Sequence, residues 1–212
     1  MDHDLPQRLK QGTRELHTQA ERSGVMAALL RGRIGRDAYC ALLSNLHAIY
    51  TALEAALDVP EVSGRLGSLW HPAFRRADVI AQDLHTLHGS GWNDAFGLEP
   101  AAARYGERLR ELQCRRDARL AAHVYTRCLG DLHGGQLLGR IVREQYGLAG
   151  EDGTRFYDFG EPGRVGALRA ALRAALAGLP VDAQEAEAIV AEARWSFVTH
   201  RELFDELQAR YP

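Results

Sequence analysis

Four polar residues near the start of the chain, Lys10, Arg14, His17 and Glu21, are spaced i, i+4, i+7 and i+11. On a helix this spacing puts all four on one face. At 1.5 Å rise per residue, Lys10 and His17 are then about 10 Å apart along the axis. A neutral imidazole is a common ligand for iron and zinc, and a cation two turns away can take an acidic edge of the same ligand. The same spacing also describes a solvated charged face with a surface histidine, and one helix does not separate the two readings.

A second segment, residues 125–136, reads YTRCLGDLHGGQ. Each glycine inside a helix costs about 1 kcal/mol relative to alanine, yet Gly130, Gly134 and Gly135 fall within six residues of an apolar helical pattern. A flat ligand packed against backbone, where a Cβ would collide, is one reason to keep them. The other is an ordinary break, with one helix ending at Gly130 and another starting after Gly135. Arg127 and Asp131 are i, i+4 and can pair locally, or Asp131 can reach a water beside the bare stripe. Arg169 and Arg173 form a further i, i+4 pair with Arg164 upstream. Such a row clamps carboxylates or phosphates, or is simply solvated. His85 and His88, with the isolated His47, His71, His123 and His200, read as surface or core histidines. No Glu-x-x-His occurs, which disfavours a carboxylate-bridged metal bundle.

The elements that must carry these residues are helical almost throughout. Leu5, Leu9, Leu16 and Ala20 mark the inner face of a first helix closed by Ser23-Gly24. Asp37 to Leu57 carries a wide apolar stripe that stops before Pro60. Helical periods continue over 73–88, 100–112 and about 117–146, and the glycine-rich stretch 149–163 reads as a loop. Helices over about 164–178 and 182–209 follow, the latter opening on Asp182-Ala-Gln-Glu185, a capping-box pattern. The expected class is all-α, one domain over 1–212, with residues 1–6 and 210–212 loose.

The chain has 212 residues, 26 basic against 28 acidic side chains, and a formal net charge of -2. That balance excludes a broadly basic, nucleic-acid-binding protein. Three scattered cysteines (Cys40, Cys114, Cys128) make no CxxC pair and suit a reducing compartment. No run reaches the roughly 20 apolar residues of a membrane span, and the acidic start lacks the apolar core of a signal peptide. A cytoplasmic monomer is the expectation. Arginine supplies 25 of the basic residues and Lys10 is the one lysine; a genome bias towards arginine accounts for the rarity of lysine but not for the position of the survivor.

Residues 9–21, LKQGTRELHTQAE, resemble the proximal helix of heme oxygenases, and residues 125–136 resemble their distal helix, usually YTRYLGDLSGGQ. Shorter matches lie in order between and after them: Ala48–Glu54, Gln82–Leu84 and Leu203–Gln208. The resemblance spans about residues 7–209 and implies a helical bundle with heme b between the two helices. It implies His17 as the axial ligand to iron, and Lys10, Arg14, Tyr125, Arg169 and Arg173 on the propionates, with Arg173 the principal one. It places Gly130, Gly134 and Gly135 over the distal face, and Asp131 with Tyr50 and Arg127 in a distal water network. The implied reaction opens heme to biliverdin, carbon monoxide and ferrous iron. It uses O2 and an electron donor such as a ferredoxin, a flavodoxin or a flavin reductase, and attack at the α-meso carbon is the family expectation.

This sequence departs from the usual motif at three places. His133 stands where serine is usual, Cys128 replaces an aromatic residue, and Arg14 stands where lysine is frequent. His133 either reaches the iron or bound oxygen, or flanks the pocket. Two other readings stand beside it: a heme carrier or sensor that leaves the ring intact, and a thiaminase-like hydrolase with a cysteine nucleophile.

Overall fold

In the computed structural model, which describes residues 4–212, helix α1 (Leu5–Glu21) buries Leu5, Leu9, Thr13 and Ala20 and leaves its polar face open. Each fully buried leucine contributes roughly 1.5–3 kcal/mol. The helix begins where the Asp4 carboxylate accepts from Gln7 N–H and Pro6 occupies the first turn, as N-capping and N1-proline preferences require. The expected looseness of residues 1–6 therefore fails at Asp4, Leu5 and Pro6, while residues 1–3 lie outside the described residues. At the other end Tyr211 packs against the core.

The partner of α1 is the last helix, α11 (Ala183–Arg210), 28 residues long. Asp182 and Glu185 form the reciprocal capping box that the sequence pattern predicts. The two helices touch so closely at Gly12 that a Cβ there would sit 2.7 Å from Val190 Cγ1. A short helix that the sequence pattern does not separate, α2 (Gly24–Leu30), follows α1 and packs mainly on α11. Helix α1 ends at Glu21, just before the Ser23-Gly24 pair expected to close it, and Gly24 then opens α2. Its φ is +40° and its missing Cβ would lie 1.9 Å from the Phe204 carbonyl oxygen.

Helix α3 (Arg36–Leu57) runs through the core, burying Tyr39, Leu42, Leu43, Ile49, Tyr50 and Leu53 among others. Its length and composition alone would let it cross a membrane, which corrects the expectation that no run comes close. Two thirds of that apolar window is covered by the rest of the fold. After α4 (Pro60–Leu66), α5 (Ala77–His88) packs on α3, and α6 (Trp92–Ala95) leads into α7 (Pro100–Arg115), which packs on both α3 and α11. Glu192 of α11 receives Arg108 Nε at 2.9 Å and Nη2 at 2.7 Å from α7. Burial opposes its ionisation, but the Arg108 hydrogen bonds and His123 outweigh that and bring Glu192 down to about 2.

The stretch expected as one helix over 117–146 has three parts. They are α8 (Leu120–Val124), a π-helical turn over Tyr125–Leu129, and α9 (Gly130–Tyr146). The alternative break between Gly130 and Gly135 does not occur. The 149–163 loop contains a 3-10 turn at Arg155–Tyr157 pinned by Asp83 of α5, which accepts from Arg155 N–H at 2.9 Å and Phe156 N–H at 2.7 Å. Burial nevertheless pushes the Asp83 carboxyl up to about 6. Helix α10 (Pro162–Ala177) then returns across the open side of α1. No strand occurs among the described residues.

Candidate functional site

Lys10, Arg14 and His17 project from the face of α1 that α11 leaves uncovered, into a cleft of about 1170 Å³. The opposite wall is the π-turn and the start of α9, through Tyr125, Leu129, Gly130 and His133. Arg173 of α10 and Arg194 and Phe197 of α11 close the sides. Ordinary small-molecule sites occupy roughly 300–1,000 Å³, so this one admits a large ligand. The π-turn matters here because such bulges locally re-phase a helix and recur at functional sites.

The His17 side chain is 53% exposed and stands edge-on to Phe197, with ring centroids 5.7 Å apart. Glu21 Oε2 lies 3.7 Å from Nδ1, so Nε2 is the nitrogen left for a ligand. Several arginines elsewhere in the protein are in ion pairs, among them Arg65–Glu185, Arg75–Asp58 and Arg108–Glu192. Among the described residues, no carboxylate lies within 4.0 Å of Lys10, Arg14, Arg173 or Arg194, although Asp4 and Glu15 share the rim. Four uncompensated cations at one cleft suit a ligand that brings its own carboxylates.

Tyr125 ties the two walls together. Its hydroxyl donates to Thr13 Oγ1 at 3.2 Å while the Thr13 hydroxyl donates to the Leu9 carbonyl at 2.8 Å. A Cβ on Gly130 would meet no atom within 4 Å, because the residue opens directly onto the cleft. The glycine helix is therefore not kept bare by protein packing at this position.

Behind Gly130 lies a buried polar triad. Tyr50 O–H donates to Asp131 Oδ2, and Arg127 Nη2 donates to Asp131 Oδ1 at 3.0 Å. The guanidinium also stacks over the Tyr50 ring at 5.3 Å. Burial raises the Asp131 pKa against the opposing pull of Arg127 and the Tyr50 hydrogen bond. Burial likewise holds Tyr50 well above its usual value, with Asp131 adding to it. Arg127 has one more partner, unrecognised in the sequence. His200 Nδ1 donates to the Ser196 carbonyl at 2.8 Å, so its Nε2 accepts from Arg127 Nη1 at 3.3 Å. Burial, then Arg127, push His200 down to about 3, so the ring is neutral and can accept.

Comparison with known proteins agrees with this arrangement. The chain matches the heme oxygenase family profile over residues 3–206. The chain belongs to the heme oxygenase family. It is 35% identical over 208 residues to heme oxygenase 2 of Synechocystis sp., covering 97% of this chain and 83% of that protein. It is 31% identical to human heme oxygenase 1, covering 98% and 73%. The crystal structure of heme oxygenase-2 from Synechocystis sp. PCC 6803 in complex with heme and NO superimposes with a TM-score of 0.93 at 34% identity, covering 98% of this chain and 86% of that one. The heme oxygenase from Leptospira interrogans gives 0.89 at 28% identity, covering 97% and 100%.

Measured against the heme-oxygenase motif, the cleft gathers Lys10, Arg14, His17, Tyr125, Gly130 and Arg173 around one volume, with Tyr50, Arg127 and Asp131 immediately behind it. Gly134, one turn on from Gly130, is likewise open, with Leu138 Cδ1 at 3.9 Å the nearest atom to a Cβ there. Two expected residues sit away from the cleft. Gly135 turns away from it, onto Tyr157: a Cβ there would lie 3.2 Å from the Tyr157 carbonyl oxygen. Its smallness serves helix-to-loop packing, as does that of Gly139, where a Cβ would be 3.1 Å from Tyr157 Cβ. Arg169 is one helical turn before Arg173 and does not reach the cleft wall.

Arg194 and Phe197 were missed altogether. They lie i, i+3 on α11, but no spacing within that helix announces that it runs beside α1. A heme fits the residues present, with an imidazole for the iron, a wall without a side chain at Gly130, and unpaired cations for propionates. A cysteine nucleophile does not fit the cleft: Cys40 and Cys128 are buried and burial raises both thiols, Cys40 to about 11, while the exposed Cys114 lies on α7 and is not among the cleft-lining residues. Raised, buried thiols are inert.

Proposed function

We propose that this chain opens heme to biliverdin, carbon monoxide and ferrous iron in the cleft between α1 and the distal helix. The observation that carries the reading is the opposition of His17 to the bare Gly130 across a cleft ringed by cations that have no carboxylate partner among the described residues. Heme, once bound, supplies both the iron at which O2 reacts and the ring that is opened.

The protein's part is binding, orientation and proton handling. His17 would hold the iron through one imidazole nitrogen, a ligand that, unlike a thiolate, gives no strong push towards O–O cleavage. Lys10, Arg14 and Arg173 receive the propionates and fix how the ring lies in its plane; Tyr125 supports them by joining the walls. Gly130 lets the ring and the helix backbone approach without a Cβ between them. Asp131 stands behind that backbone and off the cleft wall, so it acts through water. Its raised pKa, caused by burial, makes it readier to hold and return a proton than a surface aspartate. Tyr50 and Arg127 hold its two oxygens in place, and His200 holds Arg127.

A soluble donor, a ferredoxin, a flavodoxin or a flavin reductase, supplies electrons to a monomer in the cytoplasm. Incubating the heme complex with reductant in air and counting products tests the reading. One biliverdin and one carbon monoxide per heme are expected, and recovery of intact heme refutes it.

A further inference from the structure

His133 occupies the position where the usual distal motif carries serine, and its contacts are specific. Nδ1 lies 2.6 Å from the Leu129 carbonyl one turn back, an acceptor only, so the proton is on Nδ1. Nε2 is then a lone pair, and it sits 3.2 Å from Arg173 Nη2. Both side chains line the cleft. His133 therefore bridges from α9 to α10 across the mouth, and among the described residues it is the one side chain hydrogen-bonded to Arg173.

Building on the heme reading, we infer that His133 is a positioning residue for Arg173. An exposed arginine on an otherwise unpaired face has many rotamers, and ordering it is a cost that binding must meet. With Nη2 tied to His133, the guanidinium is held over the cleft before the ligand arrives. Its Nη1 and Nε remain available to one carboxylate. A propionate then finds one place to bind instead of several. The link would thereby bias how the ring is rotated within its own plane. A serine hydroxyl at this position is too short to span the same gap. The geometry gives no support to His133 as a second iron ligand, because its free nitrogen points to Arg173.

Three proteins test the inference: the full-length wild type, His133→Ala and His133→Gln, the last restoring an acceptor. Each is loaded with heme, and heme loss is timed by transfer to excess apomyoglobin, with proton NMR of the heme methyl groups on the same samples. His133→Ala is expected to lose heme about fivefold faster, a change proportionate to one charge-assisted hydrogen bond at an exposed site, and to show a second set of methyl signals. His133→Gln is expected to return both readouts towards wild type, and unchanged melting of the heme-free variants keeps the effect local. Equal loss rates and one set of methyl signals in all three proteins would overturn the positioning role while leaving heme cleavage intact. So would a six-coordinate low-spin wild-type spectrum that disappears in His133→Ala. Wild-type protein that takes up no heme would overturn the functional reading and this inference with it.

Discussion

Replacing Asp131 by alanine tests the buried triad more severely than any other single change. The Asp131 carboxylate is the anionic partner of a largely buried guanidinium: Arg127 Nη2 donates to it at 3.0 Å, Nη1 donates to His200, and Nε has no partner among the described residues. Removing the carboxylate leaves the Arg127 charge with only a neutral histidine and the face of Tyr50. Breaking a buried pair from one side typically costs about 3–5 kcal/mol, because the remaining charge is uncompensated. For a chain of this length each 1 kcal/mol lowers the melting temperature by roughly 2–4 °C. Asp131→Ala should therefore melt roughly 6–20 °C below wild type, measured by circular dichroism on heme-free protein. Asp131→Asn keeps the shape and can still accept from Arg127, so it should recover much of that loss. Both variants should lose biliverdin formation, since neither can store a proton. A heme-free Asp131→Ala melting within 2 °C of wild type would refute the claim that this carboxylate carries Arg127. An Asp131→Asn with undiminished turnover would refute the proton role.

Other expectations follow from single contacts. Gly130→Ala should fold normally, because its Cβ meets no protein atom within 4 Å, yet bind heme at least tenfold more weakly in a titration; unchanged affinity would remove Gly130 from the ligand wall. Glu192 is depressed from about 4.5 to about 2 in the folded protein, so its stabilisation is complete above pH 4.5 and disappears as pH falls from 4.5 to 2. The difference corresponds to roughly 3 kcal/mol, and Glu192→Gln should flatten that part of the acid-unfolding curve. Gly24→Ala should cost at least about 2 kcal/mol in urea unfolding, since φ is +40° and the Phe204 carbonyl occupies the space; near-wild-type stability would contradict the packing described for α2 on α11.

The parts of the site legible in the sequence are those whose geometry is local to one helix. Lys10, Arg14 and His17 share a face because the helical repeat requires it, and Arg127 reaches Asp131 for the same reason. The capping box at Asp182 and Glu185 is equally local. What spacing could not supply is the register between helices. Arg194 and Phe197 enter the cleft only because α11 lies along α1, and His200 meets Arg127 only because that same helix passes behind the π-turn. The π-turn over Tyr125–Leu129 has no compositional mark. Glycine was ambiguous for a related reason. Gly130 faces the cleft, Gly135 faces Tyr157 and Gly24 sits against the Phe204 carbonyl, and the missing Cβ looks the same in sequence whatever lies beyond it.

The most direct test of the whole account is the visible absorption spectrum of the stoichiometric heme complex, followed in air after a reductant is added. Ligation by His17 in a cleft built for ring opening predicts that the heme bands decay and the broad long-wavelength absorption of biliverdin takes their place. A spectrum that returns unchanged to that of the starting heme complex once the reductant is spent would contradict it.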